Sequence, residues 1–230
     1  MAFWRGDWFS ILPPVHNTRW LGVVVDYFSS FHVYTFTLVS GFIYYHVRYR
    51  RVGYKNFCRF IKKKAQRLLI PYVFTAICWV IPWNIVFYHP SPKTVLMNYG
   101  LGISPSQLWF LLMLFDVFVA SWVLSDFYEK SNWSVIFPMV CYGVGIIGNS
   151  LFSNILNIWN ACRHMIMFWI GFKFSQYELL SKINGWKRGI FFLFHLILFA
   201  TLQLFEGQDE VVLLLAGKGI EMLERITGTV

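Results

Sequence analysis

Charge is what this sequence has least of. Only 13% of its 230 residues are Asp, Glu, Lys or Arg, about half the share found in a soluble domain, so the chain cannot clothe itself in a polar surface. Metal-type motifs are also missing. Cys58, Cys78, Cys141 and Cys162 have no zinc-like or redox spacing, no HExxH pattern occurs, and no metal is expected. Phosphate-cradling glycine loops are absent as well. Gly143, Gly145 and Gly148 match the GxGxxG spacing, yet they sit inside an apolar run, where small residues serve helix packing. A cleavable signal peptide is not expected, because residues 1–19 hold Arg5, Asp7, Pro13, Pro14 and Arg19 without an apolar core. No internal repeat is visible.

What remains is apolar and aromatic. Hydrophobic residues make up 57% of the chain and aromatics 20%, with a mean hydropathy of +0.52. The expected class is all-α, a polytopic transmembrane helical bundle forming one integral-membrane domain over residues 1–230. A span needs about 20 apolar residues, and six segments qualify: 29–46, 68–88, 108–125, 134–151, 161–177 and 189–206.

The net charge of +9 is concentrated rather than spread. Arg48, Arg50, Arg51, Lys55, Arg59, Lys62, Lys63, Lys64 and Arg67 all fall between the first two expected spans. A basic loop resists translocation, so residues 47–67 are expected on the cytoplasmic side. Alternation then gathers Lys130, Lys173, Lys182, Lys187 and Arg188 on the same side, against Arg5, Arg19, Lys93 and Arg163 outside. This concentration is no nucleic-acid signature, and anionic lipid headgroups are one explanation for it. The orientation leaves the N-terminus outside with no span to carry it there. Residues 211–216 are too short to cross. The chain is therefore expected to be incomplete at both ends.

Arg59, Lys63 and Arg67 recur every four residues, which makes one stripe if 57–67 is helical. Phe57, Phe60, Ile61 and Leu68 form an apolar stripe beside it. Such an interfacial amphipathic helix either anchors on lipid headgroups or holds an anionic, phosphate-bearing ligand. Other polar groups stand out against the apolar background. His32 lies near the outer end of its span and His46 at the inner end, about 20 Å away along a helix, so the two cannot share one acid–base site. Asp116 lies mid-span, where an ionisable group is functional, paired or protonated. Arg163 and His164 open the fifth span as interfacial anchors or acceptor contacts. Trp109 suits an aromatic belt or a sugar-stacking platform. Ser40-Gly41 suits close helix packing, since no base is evident that would make Ser40 a nucleophile.

Residues 31–42, Phe-His-Val-Tyr-Thr-Phe-Thr-Leu-Val-Ser-Gly-Phe, followed by a basic loop and Arg67-Leu-Leu-Ile-Pro71-Tyr72, resemble the membrane acyltransferase-3 family. Leu108-Trp-Phe-Leu111 and Phe168-Trp-Ile-Gly171-Phe172 fit in the same order. Val33-Tyr34 stand where the family usually has Met-Pro, and Lys64-x-x-Arg67 stands for Arg-x-x-Arg. The resemblance implies O-acylation of a cell-envelope sugar or polysaccharide from acyl-coenzyme A, acetyl-coenzyme A above all, in a bacterial inner membrane. It implies that Arg59, Lys63, Lys64 and Arg67 hold the donor, that His32 is the catalytic candidate, and that Trp109, Asp116, Arg163 and His164 face the acceptor, a glycan or glycolipid. It also implies about ten helices, with a catalytic His at the end of the first. No helix bearing that His precedes residue 29, and His16 in its Pro-rich stretch is a poor substitute. A truncated, inactive member and a glycolipid carrier are the alternatives. A carrier would want matched helix breaks in two halves, which Pro82 and Pro138 do not provide.

Overall fold

A computed structural model describes residues 19–51, 53, 56–103, 106–179 and 185–205, and among them no strand occurs. The all-α expectation holds. The helices are α1 (Arg19–Tyr45), α2 (Phe57–Thr75), α3 (Ile81–Tyr88), α4 (Trp109–Lys130), α5 (Ile136–Leu151), α6 (Ile158–Gln176) and α7 (Gly185–Phe205). His16 and the run at 211–216 lie outside the described residues.

Two compact units partition the chain, one of residues 1–36 with 181–230 and one of residues 37–180. In the first, Tyr27 and Phe31 on α1 meet α7 around the buried His195, with ring centroids 5.3 and 5.4 Å from the imidazole. In the second, α5 packs along α6, and α4 lies against both α2 and α6.

Three stretches among the described residues are long and apolar enough to cross a membrane: Phe57–Tyr88, Trp109–Lys130 and Trp133–Leu151. They cover the expected spans at 68–88, 108–125 and 134–151. The other three expected spans lie in α1, α6 and α7, of which α1 and α6 do not reach the same hydropathy. Asn160, Arg163, His164 and Lys173 in α6, and the Ser, Thr, Tyr and His residues of α1, account for the first two. In α7 the described apolar stretch is Phe192–Thr201.

Most of the described part of the expected basic loop is helical. A π-helical turn, His46–Arg50, prolongs α1. Asn56 then starts α2 as its N-cap, its side-chain oxygen accepting the Cys58 N–H at 3.0 Å. α2 runs without a break from the cations of 59–67 into the apolar span, so 57–67 is the head of a spanning helix rather than a separate interfacial one. Pro71 inside α2 and Pro82 in α3 each remove a backbone donor, and a π-helical turn at Ala76–Val80 joins the two helices. Side chains supply bonds here. The Tyr72 hydroxyl donates to the Tyr99 carbonyl at 2.5 Å, and the Asn84 amide donates to the Tyr99 hydroxyl and the Val80 carbonyl, both at 2.8 Å. Ala76, Leu108 and Leu112 complete that core with Tyr72 and Tyr99.

A second core is aromatic. Tyr44, 1% exposed, has the rings of Phe60, Phe118, Phe168 and Phe172 at 5.5 to 6.4 Å. α1 and α6 reach it by touching backbones. A Cβ on Gly41 would strike the Phe168 carbonyl, and one on Gly171 the Leu38 carbonyl. Of the expected Ser40-Gly41 packing pair, Gly41 thus meets the Phe168 backbone. The GxGxxG triplet packs as well: Gly145 and Gly148 lie against Trp159, while Gly143 faces open space.

Candidate functional site

Cations at the basic end of the second unit divide into two groups. Arg48, Arg50 and Lys64 are tied into the protein. The Arg48 guanidinium stacks on Trp122 at 3.9 Å from the ring centroid, donates to the Tyr44 hydroxyl at 2.6 Å and lies 3.7 Å from the Asp126 carboxylate. Tyr49 donates to the same carboxylate at 3.4 Å. Burial pushes its phenol up to about 12, so it remains a donor at neutral pH. Arg50 donates to the Ser175 carbonyl at 2.9 Å and pairs with Glu178 at 2.9 Å, at the C-terminal end of α6, where a cation complements the helix dipole. Lys64 follows Phe60 one turn on, onto the face of α2 that packs against α4, and its ammonium sits 3.4 Å from the Phe118 ring centroid. Phe60 itself stacks on Trp122 at 4.7 Å.

Arg59, Lys63 and Arg67 form the second group. All three are exposed, and none makes an ion pair or hydrogen bond among the described residues. The expected four-cation donor site is therefore a three-cation stripe with Lys64 turned off it. The cause is the apolar stripe at Phe60, whose burial rotates position 64 inward. Three unneutralised cations spaced one turn apart can grip a polyanion such as a pyrophosphate through charge-assisted hydrogen bonds.

At the other end of α4, the structure brings together Trp109 and His164, with ring centroids 5.7 Å apart. This contact lies about 20 Å along α4 from Trp122. His164 is buried, with its Nδ1 2.8 Å from the Asn160 carbonyl. The rest of its setting is built from asparagines. Asn157 adopts φ 61° and donates to the Gly102 carbonyl at 2.7 Å, while its own side-chain oxygen accepts from Asn154 and Asn160 at 3.3 and 2.9 Å. The Leu156 N–H donates to the Leu101 carbonyl at 2.9 Å. Two loops are thus stapled beside His164. Arg163 turns its stem toward Gly145 on α5, and its buried Nε has no hydrogen-bond partner among the described residues. Asp116 makes no ion pair among the described residues, and its buried Oδ2 has no hydrogen-bond partner. His32 is exposed on α1, with Nδ1 3.1 Å from the Phe28 carbonyl one turn back.

Some of this was out of reach of the sequence. Nothing in 74 positions of separation announces the Arg48–Trp122 pair. His195 and the asparagine cluster did leave signals: a lone His inside the apolar run 189–206, and Asn154, Asn157 and Asn160 at intervals of three.

A family model described as an acyltransferase domain matches residues 3–218. No curated protein and no solved structure matches the chain.

Proposed function

The chain belongs to the membrane acyltransferase-3 family, and from that premise we propose that it moves an acyl group, acetyl in the first instance, from acyl-coenzyme A to a hydroxyl of a cell-envelope sugar or polysaccharide. The observation that carries the donor half of this reading is the exposed stripe of Arg59, Lys63 and Arg67, left unneutralised while neighbouring cations are consumed inside the fold. The phosphates of coenzyme A match such a stripe in charge and spacing. The positive-inside rule favours the cytoplasmic side for it, where the donor is made, and the family suggests a bacterial inner membrane.

In the transfer, the acceptor hydroxyl attacks the thioester carbonyl and loses its proton to a base. The tetrahedral intermediate then collapses, expelling the coenzyme A thiolate, which takes up a proton. His32 is the residue assigned as base: it is exposed, and a neutral imidazole nitrogen can accept the hydroxyl proton. Trp109 and His164 supply an aromatic and a polar surface in contact, which suits a sugar ring. Arg163 and Asp116 are assigned to the same acceptor side. The membrane lipids and the glycan or glycolipid acceptor are the partners of this reading.

Transfer of label from radioactive acetyl-coenzyme A to envelope glycan, in membranes expressing the chain, tests it. Label should appear in glycan, fall strongly with Arg67→Ala and vanish with His32→Ala. Folded protein that transfers no label above a vector control would overturn the reading. Loss with Arg67→Ala alone would remove His32 from its role and keep the donor site.

A further inference from the structure

Lys173 is a buried cation that acyl transfer does not use. It is 5% exposed, in the last turn of α6. Its ammonium donates one hydrogen bond, 2.9 Å to the Gln176 side-chain oxygen, and Gln176 in turn donates to the Glu129 carbonyl at 2.9 Å. The rings of Trp169 and Tyr177 have centroids 5.9 and 5.4 Å from the ammonium. No carboxylate among the described residues forms an ion pair with it, and Glu129 acts on it only through its field. A buried ammonium without a counter-ion is expensive. Two aromatic faces and one amide offset part of that cost; two N–H donors remain.

Those donors border a cleft. A cavity of about 430 Å³ is walled by Trp169, Ile170, Lys173, Phe174, Tyr177 and Leu179, within the usual range for a small-molecule site. Its walls are apolar and aromatic except at Lys173. It opens where α6 ends, beside the basic segment, since Arg50 bonds the Ser175 carbonyl. α6 carries the expected span at 161–177, and Trp and Tyr at the end of such a helix mark the headgroup level. An apolar cleft with one cation at headgroup depth fits an amphiphile carrying a single anionic group, whereas a soluble, multiply charged anion would meet too many apolar walls.

We propose that this cleft holds an anionic phospholipid, its phosphate bound by Lys173 and its proximal chain lying on Ile170, Phe174 and Leu179. The lipid supplies the counter-ion that no described residue provides. The site is separate from the stripe of Arg59, Lys63 and Arg67, and stands whether or not that stripe binds coenzyme A.

Native mass spectrometry of the full chain in detergent, titrated with phosphatidylglycerol or phosphatidylcholine, reads it directly. Wild type should retain phosphatidylglycerol in preference to phosphatidylcholine. Lys173→Gln should weaken that retention about tenfold, the loss of one charge-assisted contact, and Lys173→Arg should keep it. Leu179→Trp, which fills the cleft and leaves the charge in place, should weaken it too, while the exposed Lys62→Gln should not. Retention unchanged in both Lys173→Gln and Leu179→Trp would overturn the proposal. So would a loss of acetyl-coenzyme A binding in Lys173→Gln with phosphatidylglycerol unaffected, which would make the cleft part of the donor site.

Discussion

Arg48 lies over the indole of Trp122, its guanidinium carbon 3.9 Å from the ring centroid, and binds the Tyr44 hydroxyl and the Asp126 carboxylate as well. With only 15% of its side chain exposed, the contact is largely desolvated and is worth about 2 kcal/mol. Arg48→Ala should lower the thermal stability of the detergent-solubilised protein by roughly that amount. Arg48→Lys should lose less, because it keeps charge but not the flat stack. No loss in Arg48→Lys beside a full loss in Arg48→Ala, measured by tryptophan fluorescence on heating, would show that stacking contributes nothing.

The α1–α6 crossing should be the least forgiving place in the second unit. Gly41→Ala and Gly171→Ala each drive a methyl into a backbone carbonyl, and overpacking of this kind costs about 1–3 kcal/mol or more. Gly143→Ala meets nothing within 4 Å and should be neutral or slightly stabilising. The yield of monodisperse protein on size exclusion, compared across the three variants, checks the contrast.

Separating the stripe from Lys64 gives a kinetic prediction. Arg59→Ala, Lys63→Ala and Arg67→Ala should each raise KM for acetyl-coenzyme A about tenfold, with kcat nearly unchanged and the effect shrinking in high salt. Lys64→Ala should act mainly on stability, because that ammonium caps the Phe118 ring. Steady-state kinetics at two ionic strengths, beside melting curves, would show whether the four cations divide in this way.

Asn157 combines a left-handed backbone with three side-chain hydrogen bonds. Asn157→Gly keeps the backbone comfortable and loses the bonds; Asn157→Ala loses both. The alanine variant should be the less stable by about 1 kcal/mol, the cost of a non-glycine residue at positive φ. Chemical denaturation of the pair in mixed micelles measures that difference.

The helical character of the chain was legible because apolar runs of about 20 residues leave a membrane chain few other structures. The spans at 68–88, 108–125 and 134–151 followed from hydropathy alone. The stripe of Arg59, Lys63 and Arg67 was legible from its period of four. What hid was tertiary. A helical wheel sets Lys64 among Phe57, Phe60, Ile61 and Leu68, off the stripe, but does not reveal that this face packs on Trp122 and Phe118. The 47–67 segment read as a basic connection with a separate interfacial helix at 57–67, because its charges interrupt the apolar pattern; helix hydrogen bonding is indifferent to charge so long as the cations can reach water, so that helix continues into the span. Lys173 counted in sequence only toward a topological tally; Trp169 and Tyr177 stand four residues either side of it, but its burial does not follow from that spacing.

The bare approach of Gly41 to Phe168 and of Gly171 to Leu38 acts as an index mark between two rods. Contacts between long side chains can be re-made in many rotamers after a small slip; a contact between backbones admits no such adjustment. Sliding α1 by one residue would bring Phe42 or Ser40 to a spot that accepts only a hydrogen atom. A whole turn either way brings Thr37 or Tyr45 there instead, so the crossing admits one register. Everything farther along α1 inherits this setting, which is why the guanidinium of Arg48 arrives over Trp122 and not a residue short of it.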